Sequence, residues 1–201
     1  MRKFLGFFIL IVGGLILINC QTLSKEECVA ADWRVIGEQD GAAGHSPQQR
    51  FGDHVKACDK AGIVPDQAVW NQGYQIGLKR FCTPLSGLAH GQKGGAYANI
   101  CPAETAPAFL EGYSVGQKQH SKNNEIRSIK NRIRSSEAEI SRNERLITEG
   151  KIDQSEAESK IRFSRRQIND LNRELGRKEY ELQDINREVE DFRLNQQFSA
   201  N

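Results

Sequence analysis

No Cys-x-x-Cys pair occurs anywhere in this sequence, which argues against a four-thiolate zinc site. No nucleophile elbow, phosphate loop or metalloprotease motif is expected, and GQKGG around Lys93 lacks the preceding strand and following helix that a phosphate cradle requires. Neither sign of charge dominates: 28 Lys and Arg stand against 26 Asp and Glu, and the net charge of +2 already counts Arg2 and Lys3. The remainder is close to neutral, so a nucleic-acid partner is not expected. With hydrophobic residues at 38% and charged ones at 27%, the 201 residues suggest one or two domains with a modest core. Beyond Cys101 there is no cysteine at all.

The one long apolar run comes first. Arg2 and Lys3 form a positive n-region, and the segment from Phe4 to Ile18 is long enough for a signal peptide and slightly short for a membrane span. It ends in Leu17-Ile18-Asn19-Cys20, the form of a lipoprotein box, in which a peptidase cuts before a cysteine that carries a diacylglyceryl group. Asn19 stands where such boxes usually have Gly, Ala or Ser. Lipidation of Cys20 after removal of residues 1–19 is the expectation, with an uncleaved anchor helix and an ordinary signal peptide as the other readings. Gln21, and not Asp, follows the cysteine, so the expected place is the cell envelope, facing the periplasm, at the outer membrane rather than the inner.

Setting Cys20 aside leaves Cys28, Cys58, Cys82 and Cys101, an even number in a compartment that permits disulfides. Ser24-Lys25-Glu26-Glu27 is a capping box and predicts a helix through Trp33 and Ile36 towards Gly44. Pro47 opens a second helix through His54 and Cys58, ending at Gly62, and Pro65-Asp66 opens a third, through Trp70, Tyr74 and Phe81, ending at Cys82-Thr83-Pro84. PLSGLAHGQKGG reads as a glycine-rich loop. If the first two helices fold back about Gly44 and His45, Cys28 lies level with Cys58, which leaves Cys82 for Cys101.

An aromatic followed by two glycines four apart recurs as Trp33 with Gly37 and Gly41, Trp70 with Gly73 and Gly77, and Phe109 with Gly112 and Gly116. Residues i and i+4 share a helix face, so each pair clears a groove for another backbone.

Residues 121–201 follow another rule. Ile126, Ile129, Ile133, Ile140 and Ile147 recur at steps of three and four, with Ser136 and Asn143 filling the gaps. Ile161, Ile168, Leu171, Leu175, Leu182, Ile185, Val189 and Phe192 continue the pattern, interrupted by Ser164 and Lys178. Between the two series Gly150 suits a left-handed helix end, and Asp153 or Ser155 a helix start. The expected fold is mainly α: a small disulfide-stapled helical head over residues 20–120 and a long antiparallel coiled-coil hairpin over 121–201. Counting back from the turn sets Leu175 level with Ile126 and Phe192 level with Phe109.

The stretches CVAADWRVIGEQDGAAG, WNQGYQIGLKRFCTP, YANICP and FLEGYSVG, together with His54, Cys58 and Pro65-Asp66, resemble a family of small bacterial lipoproteins whose domain has no known function. The resemblance runs from Cys20 to Gly116 and leaves the hairpin outside. It implies export and four paired cysteines, and implies no substrate and no catalytic residue.

Among polar residues, Asp32, Glu38, Asp40, His45, Asp53, His54 and His90 are those that invite chemistry. His54 precedes Cys58 by four, a metal-pair spacing that a disulfide at Cys58 would cancel. The leading expectation is a non-enzymatic envelope lipoprotein without cofactor or metal. It is held to the membrane by lipid on Cys20 and meets a protein partner through the hairpin. The alternative is a head that binds a small ligand, cell-wall fragment or metal around Trp33, Asp40 and His54.

Overall fold

The computed structural model describes residues 22–199, so Cys20 and the apolar run before it lie outside the described residues. Among the described residues seven helices occur in order: α1 (Lys25–Val29), α2 (Trp33–Ala43), α3 (Pro47–Asp59), α4 (Gln67–Phe81), α5 (Pro84–Gln92), α6 (Ala106–Thr148) and α7 (Gln154–Ser199). No strand is present among the described residues.

The capping box at Ser24 forms in full: Ser24 Oγ accepts from Glu27 N at 3.2 Å, and Ser24 N donates to Glu27 Oε2 at 2.7 Å. The helix it starts is short, where the sequence led us to expect one helix to Gly44. The chain leaves α1 after Val29, and Asp32 starts α2 by accepting from the amides of Arg34 at 3.0 Å and Val35 at 3.1 Å. A side chain that satisfies two free amides of a new helix competes with continuation of the old one. Gly44 ends α2 at φ 74°, the left-handed conformation that glycine adopts without strain.

PLSGLAHGQKGG is the larger correction, because Pro84 to Gln92 form helix α5 and only Lys93, Gly94 and Gly95 lie outside it. Thr83 Oγ1 accepts from Ser86 N at 3.2 Å, and Pro84 occupies the first turn, where its missing N–H costs nothing. The glycines that read as breakers are contact points. A Cβ on Gly87 would stand 2.0 Å from the Phe109 carbonyl oxygen, and one on Gly91 would stand 2.3 Å from that of Tyr113. From the opposite helix, Gly112 meets the Pro84 oxygen at 2.0 Å and Gly116 the Leu88 oxygen at 2.2 Å.

The crossing of α2 on α4 repeats that of α5 on α6 residue for residue. Gly37 and Gly41 face the Trp70 and Tyr74 carbonyls as Gly87 and Gly91 face those of Phe109 and Tyr113. Gly73 and Gly77 return the contact to Arg34 and Glu38 as Gly112 and Gly116 do to Pro84 and Leu88. The head is thus two copies of one helix-pair unit. The true counterpart of Gly37 and Gly41 is the pair Gly87 and Gly91, which has no aromatic four residues upstream to announce it.

One disulfide accompanies each unit, Cys28 to Cys58 and Cys82 to Cys101, both with Cα atoms 5.5 Å apart. The first pair meets for a reason other than a hairpin of α2 and α3. Cys28 belongs to α1, which lies beside α3, whereas α2 packs chiefly on α4 and only lightly on α3. The bridges close separations of 30 and 19 residues, for which chain entropy gives about 3 to 4 kcal/mol each. The double variant Cys82→Ala with Cys101→Ala is expected to lose about that much, seen as a lower midpoint in urea at unchanged helical circular dichroism.

The core of the head is aromatic. Trp70, Tyr74, Leu78, Phe81, Cys82 and Phe109 form one buried cluster that joins the two units across α4 and α6. Helix α6 then continues without a break out of the head, so residue 121 marks a change in composition and not in structure.

The turn of the hairpin uses the residues the sequence offers: Gly150 at φ 63°, and Asp153 Oδ1 accepting from Ser155 N at 2.9 Å and Glu156 N at 3.1 Å. At 1.5 Å per residue the 43 residues of α6 span roughly 65 Å. Ile126, Ile129, Ile161, Leu171, Val189 and Phe192 are buried in the seam, and so is Ala157, which the heptad reading passed over. Ser136 Oγ donates to Gln167 Oε1 at 2.9 Å, and Asn143 Nδ2 turns back to the Glu139 carbonyl at 2.8 Å, so the polar seam residues are satisfied within the hairpin.

Register is the second correction. Lys118 pairs with Glu188 at 2.6 Å and Lys122 with Glu181 at 2.6 Å, and Phe192 clusters with Val115, Val189 and Leu88, well away from the level of Phe109. The same offset runs along the arm, where Lys130 pairs with Glu179 at 2.8 Å and Glu144 with Arg165 at 3.8 Å, so it is not imposed at the head.

Candidate functional site

The three residues singled out for ligand contact come together in the head. Asp40 sits one residue before a contact glycine of α2, and His54 is on the inner face of α3. His54 Nε2–H donates to Asp40 Oδ2 at 2.7 Å, and the Trp33 ring lies edge-on to the imidazole at 6.2 Å between centroids. Three further partners were not singled out in the sequence. Arg50 Nε donates to Asp40 Oδ1 at 2.6 Å, Trp70 Nε1 donates to Asp40 Oδ2 at 3.0 Å, and Thr22 Oγ1 meets His54 Nδ1 at 2.9 Å. The spacing of Arg50 four residues before His54 is a signal for the first of these, and the need of a buried indole N–H for an acceptor is one for the second.

Burial decides what this cluster can do. Asp40 is 3% exposed and His54 1%, and no buried polar side-chain atom lacks a partner among the described residues. Burial raises the Asp40 pKa, and the hydrogen bonds from His54, Arg50 and Trp70 more than offset it, so the carboxyl titrates below its ordinary range. Beside it Tyr74 donates to the His45 carbonyl at 2.6 Å, and burial, with the Asp40 charge, pushes its phenol up to about 12.

Thr22, His54 and Asp40 follow the hydroxyl, imidazole, carboxylate order of a nucleophilic triad. A hollow of about 170 Å³ beside them is lined by His45, Ser46, Gln49, Arg50 and Asp53 and by neither Thr22 nor His54. As placed, the three groups tie the start of the described chain to α3.

The other candidates scatter. Asp32 is the cap of α2, Glu38 pairs with Arg80, Asp53 lies 3.8 Å from Lys56, and His90 turns Nε2 to the Ala96 carbonyl at 3.0 Å, against Phe81 and Phe109. Cys58 is spent in its disulfide, and no group of three metal-ligating side chains occurs among the described residues. Gly112-Tyr113-Ser114-Val115-Gly116 spells the Gly-x-Ser-x-Gly of a nucleophile elbow, which corrects the expectation that the sequence holds no such pattern. It lies inside α6 with Ser114 exposed on a regular helix and no preceding strand, and its glycines serve the contact with α5.

A larger concavity lies on the hairpin. A groove of about 820 Å³ runs between α6 and α7, lined by buried Ser136 and Ser164 and by exposed Arg132, Ser135, Lys160 and Phe163 among others. Phe163 is 61% exposed.

Fold and site define a helical, disulfide-stapled head with a coiled-coil arm. Residues 32–118 match the family described as a protein of unknown function, DUF2799, and that stretch holds both glycine-crossed units. It is also the stretch on which the sequence motifs carry a family resemblance. No curated protein and no solved structure matches the chain.

Proposed function

We propose that this protein is a non-enzymatic lipoprotein of the bacterial cell envelope, anchored through Cys20, whose hairpin reaches a protein partner. The observation that carries the reading is the placement of open surface. The polar cluster of the head is closed, whereas the groove with exposed Phe163 lies on an arm that continues a helix of the head without a hinge and reaches about 40 Å beyond residue 120. A rigid arm holds such a groove at a fixed distance from its anchor, which suits reaching or spacing better than catalysis. No helix among the described residues is long and apolar enough to cross a membrane, so attachment in this reading falls to the N-terminal segment.

The alternative, a ligand in the head, has the meeting of Trp33, Asp40 and His54 in its favour and the saturation of Asp40 against it. Removing α7 would uncover Val115 and Leu88, so the test keeps the chain whole. A photocrosslinking residue placed at Ser135, Phe163 or Arg166 in cells is expected to capture one discrete envelope protein that the same residue at Lys79 does not. Self-adducts alone would favour a homo-oligomer and overturn the partner reading. Metabolic acyl labelling, with and without Cys20→Ser, reads the anchor.

A further inference from the structure

The chain before Thr22 leaves the head at a defined place. Thr22 is held to His54 at 2.9 Å, and only Gln21 separates it from Cys20, so the lipid-bearing residue lies within about 7 Å of Thr22 along a fully extended chain. A head tethered so closely has no linker with which to stand away from the bilayer.

Near that point three valines stand exposed among charged residues. Cys28–Cys58 brings the end of α1 against the end of α3, and Ile63 N donates to the Cys58 carbonyl at 3.2 Å, folding the following loop onto the same spot. Val29 beside Cys28, Val55 beside His54, and Val64 beside Ile63 are 71%, 41% and 88% exposed. They make up three of the seven exposed large aliphatics of the head, the others being Val35, Ile76, Leu85 and Leu110. The charges among them are of both signs, Lys25, Lys56 and Lys60 with Glu26, Glu27 and Asp59, so attraction to anionic lipid contributes little.

We infer that the face formed by α1, the second half of α3 and the loop after it rests on the lipid surface, with Val29, Val55 and Val64 in contact with acyl chains or headgroups. The inference rests on the anchoring proposed above. A short tether keeps these valines at high local concentration next to the bilayer, and each is an apolar side chain that gains by leaving water. The face is carried by α1 and α3, whereas the arm continues α6, with which neither of them packs closely.

The test uses the full chain in bacterial cells with benzoylphenylalanine at Val29, Val55 or Val64, and at Ile76 and Phe163 for comparison. Peptides are screened for lipid adducts by mass spectrometry after irradiation, and the same cells carry an alkynyl fatty acid to report acylation of Cys20. The three valine positions are expected to carry lipid adducts several-fold above Ile76 and Phe163. Acylated protein with no such excess, or with a protein adduct in place of lipid at the valines, would overturn the docking face and leave the anchor reading intact. Lipid adducts at the valines without acylation of Cys20 would keep the face and remove the lipid anchor. Protein absent from the membrane fraction would overturn both.

Discussion

Gly73→Ala is expected to lower the unfolding free energy by about 3 kcal/mol or more, at the upper end of what overpacking costs, because the group it strikes is backbone. The new Cβ would stand 1.8 Å from the Arg34 carbonyl oxygen and 2.9 Å from the Glu38 amide nitrogen. A side chain can rotate aside, but a helix backbone held by its own hydrogen bonds cannot, so α2 and α4 must separate along their whole crossing. That separation would also loosen Trp70 and Tyr74, which lie on α4 in the main core cluster. Gly176→Ala supplies the internal control: it is the same substitution inside α7, where nothing lies within 4 Å of the new Cβ. There the gain in helix propensity should stabilise by about 0.5 to 1 kcal/mol. Urea unfolding of both variants reads the opposite signs, and equal effects would mean that the crossing is not the reason for the glycine.

Asp40→Ala is expected to cost about 3 to 5 kcal/mol, the range for removing one partner of a buried charged cluster. The carboxylate accepts from Arg50, His54 and Trp70, and all three donors would be left in the hole where it stood. Arg50 is the least confined of them, with its side chain 30% exposed, so the double variant Arg50→Ala with Asp40→Ala should lose less than the sum of the single losses. The sign of the pH dependence comes from the depressed pKa. The contribution of Asp40 is fully present above the unfolded value of 3.8 and is lost as pH falls through the lower folded value. Wild-type protein should therefore lose stability below about pH 4 more steeply than Asp40→Ala, as followed by the urea midpoint against pH.

How the sequence declared each part depends on the range of the interaction. Helix starts at Ser24, Asp66 and Asp153, and the turn at Gly150, were legible because a cap is an interaction across three residues. The heptad seam was legible because its period is repeated many times. PLSGLAHGQKGG was misread for a physical reason: glycine lowers helix propensity locally, and only the partner helix, more than twenty residues on, repays that cost through a backbone contact. The register of α7 failed for another reason: a count back from the turn carries any error in the turn's centre along the whole arm, and the offset already shows between Lys130 and Glu179. In the polar cluster, Asp40 and His54 stood out as residues and Arg50 is marked by its place four residues before His54, but Thr22 and Trp70 come from separate segments, and no spacing in the chain encodes their arrival.

By itself the sequence determined the class, a mainly helical head with paired cysteines and a two-helix arm, because periodicity, caps and an even cysteine count act over short distances. Tertiary structure alone decided that the head is one glycine-crossed unit built twice, that Asp40 is closed off, and that the open groove lies on the arm. Those outcomes depend on which helix surfaces meet, and that is settled by backbone approach between segments far apart in the chain.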